Sequence, residues 1–492
     1  MYAAVQSASV ALVDATLVRV EVFVSGGLPS FTLVGLPGAA VQESRERVRA
    51  ALKHLGVSLP PSRIVVNLAP ADTRKEGPAF DLPIALALLA ADKRLPLPAL
   101  EKVMAIGELS LDGTLRPVRG AVSIGLLAAE RGLELLAPPG NGAEAAFAPG
   151  VAAYSPGSLA EAVAHLTGRG RLKLCLAAEG AADAPVPDLA DVRGQEIARR
   201  ALEVVAAGRH NLLLTGPPGA GKSMLAARLV GILPPLTLPE AVEVARVHSS
   251  AGLLTGRAPS LRPPFRQPHH SASLGGVIGG GPVPRPGEAS LAHRGVLFLD
   301  ELPEFSRPVL EALRQPLEDG VVNLARVQGP LRVPASFQLV AARNPCACGW
   351  LDDPSGKCRC KSGDIARYQH RISGPLLDRI DLRVGVARLK PGELLSEAPQ
   401  ESSATVAQRV AAARQTMLDR QGCCNAAVSV ADLERLAPPD ASARALLRHL
   451  VVSSTLSGRG FARLLRVART IADLDNAVQV SAGHVFEAAT FR

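Results

Sequence analysis

The sequence predicts an α/β protein in three regions: an α+β domain, an α/β core built around a glycine-rich loop, and a helical tail. Three observations carry this. Strand-like and helix-like segments alternate from the N-terminus to about Thr167. A second alternating stretch begins at Asp191 and contains a strand, a loop of glycines and prolines, and a helix in direct succession. The last stretch is mostly helical in pattern, as in "ATVAQRVAAARQTMLDRQG" and "RGFARLLRVARTIADLD". The expected boundaries are 1–168, a linker at 169–190 rich in Ala, Pro and acidic residues, 191–388, and 389–492.

In the first region, "TLVRVEVFV" alternates with period two, setting Val18, Val20, Val22 and Val24 on one face and Arg19 and Glu21 on the other. "SFTLVGLP" and "RIVVNLAP" supply further strands. "AAVQESRERVRAALKHLG" reads as an amphipathic helix ending at Gly56, and Leu82–Ala91 as an apolar helix.

The chain has 492 residues, 47% of them hydrophobic, enough for two or three domains with real cores. Its apolar runs are too short to span a bilayer, and "MYAAVQSASVALVDA" lacks the basic start of a signal peptide. The expectation is a cytoplasmic protein without a membrane partner. A net charge of +9 suits a polyanion, with a solvated basic surface as the plainer alternative. With 11 Phe, three Tyr and one Trp, the composition argues against a single-strand platform built by base stacking. Seven cysteines in such a chain argue against a disulfide framework.

"NLLLTGPPGAGKSMLAARLVG" sets an apolar strand before Gly216-Pro217-Pro218-Gly219-Ala220-Gly221-Lys222-Ser223 and a helix after it. This is a P-loop in its required context. Its backbone N–H groups curl round phosphates at a helix N-terminus, Lys222 reaches the β- and γ-phosphates of ATP, and Ser223 ligates Mg²⁺. "GVLFLDE" supplies a buried strand, then Asp300 to hold Mg²⁺ through water and Glu301 as the general base. "FQLVAARN" ends in Asn344, placed to orient the attacking water, and "GPLLDRID" carries Arg379.

"NPCACGWLDDPSGKCRC" sets Cys346, Cys348, Cys358 and Cys360 as two C-x-C pairs. Four thiolates fit a closed, structural Zn²⁺ site, against reduced thiols or a redox pair. Cys175, Cys423 and Cys424 read as packing residues. "VVNLARVQGPLRVPASFQLV" reads as a β-hairpin with Arg326 and Arg332 flanking its tip; they are candidates for gripping a phosphate backbone, or ordinary surface arginines. His269 and His270 read as part of a loop ordering the Gly-rich segment that follows.

The order P-loop, Asp-Glu, Asn, Arg, helical region resembles an AAA+ ATPase, in which an arginine at the position of Arg379 completes the neighbouring subunit's site. That implies a ring, a hexamer. "SGRGFARLLRVAR" resembles the segment carrying a γ-phosphate-sensing lid arginine, Arg459 first and Arg463 next, with solvated helix charges as the alternative. The Gly-rich insertion before the Asp-Glu strand and the hairpin after it resemble the magnesium-chelatase and MCM-helicase branch. Arg262–Ser273, Gly287–Phe305, "RISGPLLDRID" and "RVARTIADL" are similar to the YifB/ComM proteins over the whole chain. That resemblance implies a hexameric Mg-ATP-driven motor on single-stranded or branched DNA, whose competence-associated members promote branch migration during natural transformation. The alternatives are a chelatase-type ATPase subunit and a protein-remodelling AAA+ ATPase.

The first region resembles the Lon protease domain, related to ribosomal protein S5 domain 2. In place of that family's serine loop it has Gly77-Pro78-Ala79-Phe80-Asp81, and "RGAVSIGLL" has no lysine where the partner lysine is expected. Without Ser or Cys no acyl intermediate forms, so the expectation is a scaffold and not a protease. Arg63, Arg74 and Lys75 are candidates for a basic face, or simply solvated charges.

Overall fold

The computed structural model describes residues 1–492 apart from 59–60, 73, 178–184, 255–258, 282–283, 325–330, 352, 354–355, 390–391, 393–399 and 454–456. Arg326 and the hairpin tip lie outside the described residues, as does part of the expected linker. Two compact units form: one from residues 1–183, 237–261 and 283–286, the other from 184–236, 262–282 and 287–492.

The first unit is a mixed seven-stranded sheet in the order Ser30–Val34, Arg63–Ala69, Asp14–Ser25, Tyr2–Ala11, Val103–Ala105, Glu134–Leu136, Ala152–Tyr154. Val18, Val20, Val22 and Val24 are buried while Arg19 is exposed, because successive side chains of a strand leave by opposite faces. The helix Asp81–Ala91 is buried at every position, which is why its sequence shows no polar face. Its one carboxylate, Asp81, is balanced by Arg47, whose Nε and Nη2 lie 2.5 and 3.1 Å from it, and by the Leu109 N–H at 3.1 Å. The stretch 39–56 forms two helices, Ala39–Gln42 and Ser44–His54.

Two features of this unit depart from the sequence reading. Lys75 is fully buried, with its ammonium hydrogen-bonded to the Pro70 carbonyl, so it is not part of a basic face. Burial pushes its pKa below the usual lysine value. The helix Leu238–Ala251, which follows the P-loop helix in sequence, packs within this first unit. Ala245 and Leu254 close over Val122 and Phe147, and Ser249 receives the N–H groups of Gly120 and Val122.

The second unit is built on a five-stranded parallel sheet in the order Phe265–Arg266, Val296–Leu299, Gln338–Arg343, Leu212–Thr215, Leu382–Gly385. Parallel strands are covered on both faces, which explains their unbroken apolar runs. Leu212, Leu214, Phe298, Val340 and Val384 pack on one face with helices Glu196–Gly208, Ser403–Gln421 and Gly458–Leu474. Leu213, Leu297, Leu299, Leu339 and Ala341 pack on the other with Val309, Leu313 and Leu376. The C-terminal helices therefore share one core with the sheet, where the sequence reading set 389–492 apart.

A buried polar network secures that packing. Asp473 accepts from Arg420 at 2.6 and 2.8 Å, from Arg469 at 2.9 Å and from Asn425 at 2.8 Å. Thr470 bonds both Asn425 and His210. Removing one partner from such a pair costs about 3–5 kcal/mol, because a charge is left buried and unpaired.

Candidate active site

The loop after Leu212–Thr215 turns tightly because of its glycines. Gly216 passes so close to the next strand that a Cβ there would meet the Val386 carbonyl oxygen at 2.1 Å. Gly221, with φ at +92°, opens the helix Lys222–Arg228 from the left-handed region that favours glycine. The N-terminal N–H groups of that helix are the ones an anion can use.

Lys222 folds back over the loop. Its Nζ donates to the carbonyls of Gly216 and Pro217 at 2.7 and 2.9 Å and to Asn344 Oδ1 at 3.1 Å. Burial pushes this ammonium below its usual pKa, and the Asp300 and Glu301 charges oppose that shift. Ser223 donates to Asp300 Oδ2 at 2.6 Å, so the two oxygens expected at Mg²⁺ already face one another. Glu301 stands next to Asp300 in a left-handed conformation, with φ at 51°, its N–H donating to Asp300 Oδ1 at 2.9 Å. Sheet order thus assembles Lys222, Ser223, Asp300, Glu301 and Asn344 at the C-terminal end of three adjacent strands, where open parallel sheets bind ligands.

Arg379 lies at the other end of the same sheet. The strands 212–215 and 382–385 run parallel, with Leu212 opposite Leu382 and Thr215 opposite Gly385. The P-loop leaves one end and the Arg379 segment enters at the other. Asn211, one residue before its strand, donates to the Arg379 carbonyl at 2.7 Å. The Arg379 guanidinium is ion-paired with Glu318 and donates to the Pro375 carbonyl at 3.3 Å. Burial first, then repulsion by Arg459, Arg314 and Arg463, holds it below the usual arginine value. Arg463 donates to the Ile380 carbonyl at 2.9 Å and reaches Asp378 at 3.3 Å. Both arginines of the lid segment therefore group with Arg379.

Cys346, Cys348, Cys358 and Cys360 bring their sulfurs within 4.8 Å of one another. The S···S separations of 3.4, 3.7 and 3.8 Å suit a tetrahedral ion, whose edges are about 3.8 Å for Zn–S bonds of about 2.3 Å. The Trp350 backbone N–H and hydrogen bonds from Cys346 and Cys360 hold the Cys348 thiol down to about 6. The donor set and geometry fit Zn²⁺. Gly349 sits against the P-loop: a Cβ there would meet Pro218 Cδ at 2.6 Å, with Asn344 Cγ at 3.7 Å.

Several of these relations were not read from the sequence. Arg266 clasps Glu288 through two bonds of 2.6 and 2.8 Å, fixing the edge strand beside the Asp300 strand. Arg343, just before Asn344, donates to Thr215 Oγ1 at 3.2 Å. His270 Nδ1 lies 3.3 Å from Glu301 Oε2. Among the hairpin arginines, Arg332 is exposed on Leu331–Pro334, opposite Asn323. Arg74 is ion-paired with Glu76 at 3.2 Å, which reduces its weight in any basic face. Ala79 carries no nucleophilic atom; its carbonyl accepts the Gly107 N–H.

Known proteins resemble the chain over nearly its whole length. Family models for the magnesium chelatase subunit ChlI match residues 20–141, 188–394 and, as its C-terminal part, 400–492. The uncharacterized protein YifB of Salmonella typhimurium is 44% identical over 481 residues, 98% of this chain and 95% of its own. An uncharacterized protein of Mycobacterium tuberculosis is 45% identical over 493 residues, 99% of this chain and 97% of its own. The competence protein ComM of Haemophilus influenzae is 43% identical over 488 residues, 98% of this chain and 95% of its own. With an intact P-loop site on a parallel sheet and near-full-length similarity throughout, the chain belongs to the magnesium-chelatase-like YifB/ComM family of AAA+-type ATPases.

Proposed function

We propose that the protein is a Mg-ATP-driven DNA motor that works as a hexameric ring, acting on single-stranded or branched DNA in recombination. The observation that carries the ring is the separation of the site from its arginines. Lys222, Ser223, Asp300, Glu301 and Asn344 gather at one end of the sheet, while Arg379 and the neighbouring Arg459 and Arg463 gather at the other. A subunit with that layout hydrolyses ATP efficiently only when a neighbour lends its arginine.

In this reading Lys222 and the P-loop N–H groups hold the phosphates, and Ser223 and Asp300 hold Mg²⁺. Asn344 steadies the attacking water, and Glu301 accepts its proton. Arg379, from the adjacent subunit, stabilises the charge that develops on the γ-phosphoryl group. DNA as the polymer is supported by the +9 charge, by the exposed Arg332, and by the relative named as a competence protein. The first unit acts as a platform on the ring, without peptidase activity.

The rival reading, a chelatase-type ATPase subunit, is favoured by the matches to subunit ChlI across all three regions. Turnover of ATP with and without DNA separates the two: the DNA motor responds to DNA, and a chelatase-type subunit does not.

The four-cysteine knuckle is assigned a structural Zn²⁺ that fixes the loop between Asn344 and the Arg379 segment. The purified protein is expected to hold one zinc per chain, and Cys346→Ser to lose it along with most of its ATP turnover, since Gly349 abuts Pro218. Elemental analysis checks this; a zinc-free protein with full turnover contradicts it.

A further inference from the structure

The lid segment offers two arginines one helical turn apart, and they differ in what they touch. Arg459 is exposed, whereas the Arg463 side chain is only 13% exposed. Arg463 Nη1 donates to the Ile380 carbonyl at 2.9 Å and, less closely, to the Leu377 carbonyl at 3.4 Å. Its Nη2 donates to Asp378 Oδ1 at 3.3 Å. These acceptors bracket Arg379 in the sequence. A guanidinium committed in this way reaches a phosphate only by giving up those bonds.

Arg463 closes a clamp whose other side is the sheet. Arg383, on the strand Leu382–Gly385, donates from Nη2 to the same Leu377 carbonyl at 3.1 Å. Asn211 donates to the Arg379 carbonyl at 2.7 Å, and its own carbonyl accepts the Asp381 N–H at 3.1 Å. Arg463 comes instead from the helix Gly458–Leu474, whose Leu464, Leu465, Val467 and Ala468 share a core with Leu212 and Leu382. The backbone that carries Arg379 is therefore gripped by the sheet and by the lid helix together. Carbonyls at the end of a short helix such as Gly374–Leu377 lack intrahelical partners, and a cation suits them. Charge adds a second effect: Arg463, like Arg459 and Arg314, repels the Arg379 guanidinium, which disfavours its folding back onto the clamp.

We propose that Arg463 is a positioning residue for Arg379, and not itself a phosphate contact. By holding the groups on either side of Arg379, the lid helix of one subunit sets where that guanidinium enters the site of the next. The effect on rate rests on Arg379 being the arginine lent to a neighbour. A misplacement of about 1 Å costs up to about 10²-fold, so the clamp governs a smaller factor than the arginine itself.

The test uses the full chain with Mg-ATP. Arg463→Ala is expected to lower kcat by roughly 10- to 100-fold, with Kd for both ATP and ADP within about twofold of the parent. Arg463→Lys keeps the charge but not the planar fork, and should lose roughly 3- to 10-fold; it carries the comparison if the alanine variant does not fold. On an Arg379→Ala background, Arg463→Ala should slow single-turnover hydrolysis of radiolabelled ATP no further. Amide hydrogen exchange over residues 374–382 should quicken in Arg463→Ala, because the Arg379 and Ile380 N–H groups are bonded within that segment, to Leu376 and Leu377. Parental kcat in the folded variants would overturn the proposal, as would a further loss on the Arg379→Ala background. Weakened ATP binding with ADP binding spared would also overturn it, since that is the mark of a γ-phosphate contact. If Arg379→Ala turns over ATP like the parent, the reading of Arg379 as a lent arginine fails. Hydrogen exchange then still decides whether Arg463 holds the segment, and unchanged exchange would overturn the clamp.

Discussion

Arg379→Ala is expected to lower ATP turnover by about 10³–10⁵-fold, the range an arginine supplied to a phosphoryl-transfer site is worth, while leaving nucleotide binding intact. The reason is positional. Arg379 stands at the N-terminal end of the sheet beside Asn211, and the P-loop stands at the C-terminal end of the same strands. Loss of the guanidinium leaves Lys222, Ser223 and Asp300 in place to hold Mg-ATP, so KM or Kd should change little. Mixing Arg379→Ala with Lys222→Ala subunits should restore part of the activity. In a mixed ring, some interfaces join an intact P-loop from the first variant to an intact arginine from the second. Turnover in the mixture no greater than the sum of the two alone would contradict action across subunits.

Glu301→Gln is expected to cut turnover by about 10²–10⁴-fold, the usual contribution of a general base, and to leave ATP bound on the assembled protein. The amide keeps the shape of the carboxylate but does not accept the proton of the attacking water. The phosphate-holding contacts lie elsewhere: Lys222 is held by Gly216, Pro217 and Asn344, and Ser223 by Asp300. Binding and hydrolysis should therefore separate cleanly. Rapid-quench or single-turnover measurement reads the chemical step directly, and hydrolysis at the parental rate would remove Glu301 from the role of base.

How much of this was legible in the sequence follows from the distance over which each feature is determined. The P-loop is local: strand, glycine turn and helix are contiguous, and Gly221 is required by its own positive φ, although Gly216 owes its closeness to Val386 of a distant segment. The pair Asp300-Glu301 at the end of an apolar strand is local too, as are the alternation of Val18, Val20 and Val22 and the spacing of the four cysteines. What escaped the sequence was set by which strands become neighbours. His270 faces Glu301 only because the two-residue strand 265–266 adds to the edge beside 296–299, and a strand that short has no periodicity to announce it.

The position of Arg379 relative to the phosphates likewise needed the register of 382–385 against 212–215. Lys75 read as a surface charge because lysines usually are; its backbone pairs with Leu36 and Gly38, far away in sequence, while its ammonium turns to the Pro70 carbonyl. The C-terminal helices looked separable because helical pattern shows which face is apolar but not what covers it. Here the cover is the ATPase sheet itself, locked by Asp473 with Arg420 and Arg469.

The central claim, that this ATPase is a DNA motor, is tested most directly by ATP turnover at fixed salt. It would be measured without DNA, with single-stranded DNA and with branched DNA, using Lys222→Ala as the blank. The account predicts turnover that depends on Lys222 and rises several-fold with either DNA, in line with modest coupling free energies of about 1–3 kcal/mol between sites. Turnover that depends on Lys222 but is indifferent to both DNAs would contradict it, and would bring the chelatase-type reading to the front.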